Sequence, residues 1–313
     1  MSLLFDIVLS LIVVALAVRV IVAEDGFAAV VSFAAYGLLV ALAWVRLYAA
    51  DVSLTEVAIS GGLAGMLLIG AASRLRAIDA RAAAQRSGRG VRLFAALLSC
   101  GVAGGLGLAV LALPDPAPSL AEAAVANLPP TGVGNPVTAV LMAFRATDTL
   151  LETVVVVLAL VGVWSLAPDR LWGGRPGARE HADPNGPLAF LARVLPPIGV
   201  VVAVYLLWAG ASEPGGAFQG GAILAATWLL VIMAGLSDAP ATHGHGLRWL
   251  LVAGPLLFLA VGFAGIWLAD AFLAYPTDWA KALIVAVEVA KLLSVAAALG
   301  LLLLGPPRRI DTP

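Results

Sequence analysis

Nine apolar runs, each close to the length needed to cross a bilayer, constrain this chain more than any single motif. They cover residues 3–22, 27–46, 53–73, 92–113, 136–166, 190–210, 217–236, 247–269 and 280–304. A span needs about 20 apolar residues in helical form, because hydrocarbon offers no water to pair with exposed backbone amides. Of the 313 residues, 62% are hydrophobic and 12% are charged, against about 25% charge in a soluble domain. That leaves more apolar surface than a water-soluble core can hide. The expected fold is an all-α polytopic membrane protein with about nine transmembrane helices. The run at 136–166 is overlong, so its first third is expected to lie outside the hydrocarbon or to tilt.

Arginine sets the expected direction of threading. Arg74, Arg76, Arg81, Arg86, Arg89 and Arg92 crowd the third loop, and Arg170, Arg175, Arg179 and Arg193 the fifth. Arg248 follows the seventh run, and Arg308 and Arg309 follow the ninth. Cytoplasmic loops collect basic residues, which puts the N-terminus outside and the C-terminus in the cytoplasm. The two long basic loops divide the runs into blocks of three, two and four. These arginines are scattered without interleaved aromatics, which argues against nucleic-acid binding. No Walker motif, HExxH or CxxC is present, and no soluble domain is large enough to hold a nucleotide. The single cysteine, Cys100, lies inside an apolar run and reads as a small buried hydrophobe. The three histidines sit in loops without metal-site spacing. No cofactor is expected.

Ionisable residues at membrane depth are costly, so each is a functional candidate. In the third run, Ser53, Glu56 and Ser60 share one helical face, while Ala58, Gly61 and Gly65 form a small-residue packing seam on another. The polar stripe can then face a cavity while the seam meets a neighbour. In the fifth run, Arg145, Asp148 and Glu152 fall within one arc. Arg145 can neutralise Asp148 within a turn, whereas Glu152 lies deeper and has no partner on its own helix. In the ninth run, Lys281, Glu288 and Lys291 share a face, with Glu288 and Lys291 about 10–15 Å deep at 1.5 Å per residue. That pair is either a proton-relay element or a local neutral pair locking two helices. Between runs six and seven, the string EPGGAFQGGAILAA, Glu213 to Ala226, puts a proline and four glycines where backbone must pack closely and be covered by protein or a wet cavity.

Three strings carry a resemblance. DVSLTEVAISGGLAGMLLIGA resembles the D-V-A-L-T-E-A motif in the D-type membrane protein of membrane-bound hydrogenases, a module also found near the C-terminus of the large A-type protein of Mrp-type cation/proton antiporters. NPVTAVLMAFRATDTLLETVVVVLALVGV resembles the E-type module that follows it there. LARVLPPIGVVVAVYLLWAGASEPGGAFQGGAILAA resembles the B-type protein of Mrp antiporters. The resemblance implies a fusion: a D-like three-helix module at 1–78, a cytoplasmic linker at 79–90, an E-like two-helix module at 91–168, a second linker at 169–187, and a B-like four-helix module at 188–306.

It further implies an integral membrane subunit of a multisubunit, complex-I-like cation:proton antiporter in a bacterial or archaeal cell membrane. The implied partners are other hydrophobic antiporter-type subunits, expected to meet the glycine faces of the third and seventh runs. The D-type and E-type glutamates fall on Glu56 and Glu152, which would line a Na⁺ or proton path. The B-type hairpin residues Pro214, Gly215, Gly216, Phe218 and Gln219 would shape it. Lys291 beside Glu288 departs from the B-type pattern and favours a proton over Na⁺. A purely structural subunit, an arm of a hydrogenase-like redox complex and an independent transporter remain the alternatives. The last is weakest, because the blocks show no internal repeat.

Overall fold

The apolar runs become helices because only a helix pairs every backbone amide within its own segment. A computed structural model describes residues 2–72, 88–116, 118–177, 183 and 185–310. Among the described residues, eleven helices follow in order: α1 Ser2–Val22, α2 Gly26–Arg46, α3 Ala50–Ala72, α4 Arg89–Leu111, α5 Ala121–Ala126, α6 Pro136–Ala139, α7 Ala146–Trp164, α8 Pro187–Ala209, α9 Ala217–Met233, α10 His245–Leu268 and α11 Ala280–Leu304. The chain is an all-α polytopic membrane protein. Eight of these helices are long and apolar enough to cross a bilayer, and the ninth apolar one, α9, is shorter at 17 residues.

Local signals mark several boundaries. Asp25 caps α2 by accepting from the Ala28 amide at 2.9 Å. Asn135 caps α6 by accepting from Val137 at 2.9 Å, with Pro136 in the first turn where its missing N–H costs nothing. Pro187 opens α8 in the same way. Gly305, at φ 82°, closes α11.

The overlong fifth run is broken rather than continuous. After α6 the chain takes five residues of π-helix, Val140–Phe144, and Arg145 leaves helical geometry at φ −128°, ψ 36° before α7 begins. The Arg145 amide bonds back five residues to the Val140 carbonyl at 2.8 Å, and the Thr149 hydroxyl donates to the Leu141 carbonyl at 2.7 Å. These bonds satisfy backbone groups freed at the break. Helix α3 also carries a π stretch, Val57–Ala64.

α11 is the centre of the molecule. More than half of its best spanning window is buried, against none of the window in α4. It packs on α7, α9 and α10, and α9 packs on α8. One apolar cluster joins Met142, Leu150, Phe258, Ile284 and Val287. A second joins Leu160, Trp164, Leu251, Ala298 and Leu301. Helices α1, α2 and α3 pack in sequence, and α3 reaches α9.

Two expectations need correction. Cys100 is exposed, because α4 buries none of its residues. The glycine faces of the third and seventh runs are not left for partners. Gly61 and Gly65 lie against Leu38 and Ala34 of α2, and Gly220 and Gly221 against Ala203, Leu292 and Val295 of α8 and α11. Within the segment 169–187, Arg175–Pro176 pairs antiparallel with Pro307–Arg309, and Arg309 bonds Asp238 at 3.0 Å. The arginines at 74–86 and Arg179 lie outside the described residues.

Candidate ion-translocation site

The first turns of α3 and α9, the second turn of α7 and the third and fourth turns of α11 lie around one cavity of about 280 Å³, bordered by Asp51, Thr55, Glu152, Gln219, Glu288 and Lys291. A space of that size holds a string of waters. Glu288 and Lys291 sit three residues apart on the buried face of α11, only 6% and 9% exposed. One Glu288 oxygen faces the Ala217 backbone amide at the start of α9. Its other oxygen, Oε2, is buried with no hydrogen-bond partner among the described residues. The Lys291 ammonium lies 3.9 Å from the Met142 sulfur and 6.0 Å from the centroid of the Phe258 ring. Among the described residues, neither Glu152 nor Glu288 makes an ion pair with it.

The glycine-rich hairpin forms one wall. Gly215 and Gly216 take φ of 154° and 138°. A Cβ on Gly215 would stand 2.5 Å from the Leu206 carbonyl oxygen, so only glycine fits there without rearrangement. Gly216 donates to that same carbonyl at 2.9 Å. Gly215, Gly216, Phe218 and Gln219 border the cavity, whereas Pro214 is exposed and does not. The Gln219 amide donates to the Thr55 hydroxyl at 2.9 Å and ties α9 to α3.

The structure divides the six charged candidates into two groups. It brings Glu152, Glu288 and Lys291 together. It leaves Arg145 and Asp148 outside, paired at 2.6 Å with side chains 71% and 55% exposed. Glu56 is also outside the cavity lining. It is half-buried and accepts from Ser60, whose own side chain packs at Gly37 of α2. A π stretch turns less per residue than the 3.6-residue helix assumed for the sequence. Ser60, Gly61 and Gly65 therefore all meet α2, rather than the serine face meeting a cavity.

Sequence reasoning missed Asp51 and Thr55, the residues of α3 that do border the cavity. Asp51 accepts from the Gly215 amide at 3.0 Å and faces the Asn135 amide at 3.4 Å. Asn135 in turn donates to the Glu213 carbonyl at 2.9 Å, and Thr138 to the Gly210 carbonyl at 2.5 Å. The available signal was the Asp51–Thr55 spacing at the head of the DVSLTE string, one turn apart on one face. Tyr275, between α10 and α11, was also missed. Its hydroxyl is buried without a partner among the described residues, and burial, reinforced by the Glu288 charge, holds the phenol above its ordinary range.

Two separate stretches of the chain match known families. Residues 187–305 match the family described as a domain related to the MnhB subunit of Na⁺/H⁺ antiporters, and residues 11–77 match the MbhD family, the D-type protein of MBH. An MnhB-type module and an MbhD-type module thus share one chain. An uncharacterized protein of Methanocaldococcus jannaschii is 30% identical over 156 residues, covering 45% of this chain and 60% of that protein. A chain of the Mrp complex from Dietzia sp. DQ12-45-1b superposes with a TM-score of 0.74 at 24% identity, over 98% of this chain and 35% of that one. The archaeal membrane-bound sulfane sulfur reductase, a respiratory membrane complex, supplies a chain with a TM-score of 0.52 at 22% identity, over 67% of this chain and 95% of that one. These structural likenesses establish the fold. The MnhB-type module contributes α8 to α11, and so the hairpin, Glu288 and Lys291. The MbhD-type module contributes Asp51, Thr55 and Glu56.

Proposed function

We propose that this chain is an integral membrane subunit of a multisubunit, Mrp-like cation:proton antiporter, and that the cavity between α3, α7, α9 and α11 is its portion of the ion path. The observation that carries the reading is the meeting of Glu152, Glu288 and Lys291 at membrane depth, unpaired with one another among the described residues. A subunit that only filled space would have no use for them. A carboxylate in a low-dielectric cavity holds a proton or a cation but not both, so a change in its hydration exchanges one for the other. Glu152, exposed at the cavity edge, would load the ion; Glu288, buried behind it, would pass it on. The hairpin wall keeps the path narrow. Such a subunit moves ions and breaks no bonds, and Na⁺ is the cation suggested by the MnhB kinship.

The arginine-rich loops support a cytoplasmic C-terminus and an external N-terminus, in a bacterial or archaeal cell membrane. The cavity then lies toward the outer half of the bilayer, where α3, α7, α9 and α11 begin. Other antiporter-type subunits would complete the assembly.

A structural role suits a different set of groups. Glu56 is satisfied by Ser60, Asp148 by Arg145, and Asp6 of α1 by Arg46 of α2 at 2.8 and 3.0 Å. In the purified, reconstituted assembly, Glu152→Ala and Glu288→Gln should each lower cation-driven proton flux at least tenfold while the subunits still co-purify. Asp148→Ala should leave flux near wild type. Loss of assembly with normal flux in the surviving complexes would return the carboxylates to a structural role.

A further inference from the structure

Among the described residues, Lys291 is the one charged group of the cavity with no oxygen to hold it. An ammonium brings three donors, yet the polar atom it reaches is a thioether sulfur at 3.9 Å, a weak acceptor. The Phe258 ring lies beneath it. The side chain is nine-tenths buried, so bulk water does not make up the deficit. The two acidic groups whose charge acts on it are Glu288 and Glu152. Both have capacity to spare, since Glu288 Oε2 is unpartnered and Glu152 carries no ion pair among the described residues. Asp51, across the cavity, is already engaged by Gly215 and Asn135. The lysine stem is flexible, with rotatable bonds enough to carry its charge toward either glutamate.

Building on the ion-path reading, we propose that Lys291 is the resident cation of this cavity and sets its ion selectivity: its ammonium takes the place a monovalent metal cation would occupy between Glu152 and Glu288. Charge counting explains the consequence. Glu152, Glu288 and the ammonium between them leave a single negative charge, which one proton cancels, while Asp51 across the cavity keeps its own charge on the Gly215 and Asn135 amides. A Na⁺ entering the same space would face the ammonium as a like charge in a low-dielectric site. The cavity is therefore the proton leg of the path, and any Na⁺ leg of the assembly runs elsewhere. Removing the lysine charge leaves two carboxylates and room for a cation with its waters, and so converts the cavity into a Na⁺ site.

The test is equilibrium binding of radioactive ²²Na⁺ to the tagged full-length chain, purified with the subunits that accompany it, with choline holding ionic strength constant. Wild type and Lys291→Arg should show no saturable site dependent on Glu288. Lys291→Met should acquire one, and Glu288→Gln added to it should abolish the gain. Methionine suits a position already lined by Met142 and Phe258, and Lys291→Gln serves as a second uncharged replacement. Equal Na⁺ binding by wild type and both uncharged variants, whether tight or absent, would overturn the proposal. So would a saturable Na⁺ site in wild type that Glu288→Gln removes, a measurement that needs no lysine variant. Binding and flux separate the two readings. Flux that ignores Glu152 and Glu288 defeats the ion-path reading, whereas flux that needs them alongside unchanged Na⁺ binding defeats only the selectivity of Lys291.

Discussion

Single side chains differ sharply here in how much depends on them. Asp51 accepts a hydrogen bond from the Gly215 amide and has the Asn135 amide beside it. Asp51→Ala would orphan that amide, at a cost of about 1–3 kcal/mol. We expect a lower thermal midpoint in detergent, with a smaller drop for Asp51→Asn, whose amide oxygen still accepts. Tyr275 is the opposite case. Its hydroxyl is buried with no partner among the described residues, so Tyr275→Phe removes an unsatisfied group and should leave the midpoint unchanged or raised. A clear fall would mean that the hydroxyl bonds something in the working assembly. Arg145→Ala breaks an exposed pair, and exposed pairs contribute little, so its midpoint should match wild type.

At the scale of elements, backbone approach distinguishes positions that composition treats alike. Gly215→Ala places a methyl group 2.5 Å from a carbonyl oxygen at a backbone angle that side chains avoid, and should cost about 1–3 kcal/mol. Gly105→Ala on α4 meets nothing within 4 Å, and alanine favours a helix, so the same assay should register no loss. What the amino-acid pattern revealed follows the same division. Residues 280–304 were expected as a span and form α11 over that range, because an apolar run at membrane depth has no alternative to a helix. The shared face of Glu288 and Lys291 also followed from α-helical spacing. The π stretches did not, since no residue type marks a hydrogen bond to the fifth residue rather than the fourth. That hidden change of pitch is why Ser60 was expected on a cavity face and instead meets α2. Long-range bonds such as Asp51 to Gly215 leave no local trace at all.

For the whole molecule, burial predicts an order of opening. Hydrogen–deuterium exchange on the chain alone in detergent should find α11 amides the slowest and α4 amides among the fastest of the spanning helices, because local stability follows buried contact. Exchange that is uniform across the helices would contradict this gradient. The Asp51 contact has a further consequence, in time rather than in space. The carboxylate and the amide that it accepts from are 164 residues apart. At synthesis rates of about 5–20 residues per second, the nascent chain carries Asp51 for on the order of 10–30 s before Gly215 exists. The third helix must enter the bilayer with that carboxylate unclaimed, and the wall of the cavity closes only once the hairpin is made. A ribosome stalled before that point leaves a chain without an enclosed cavity.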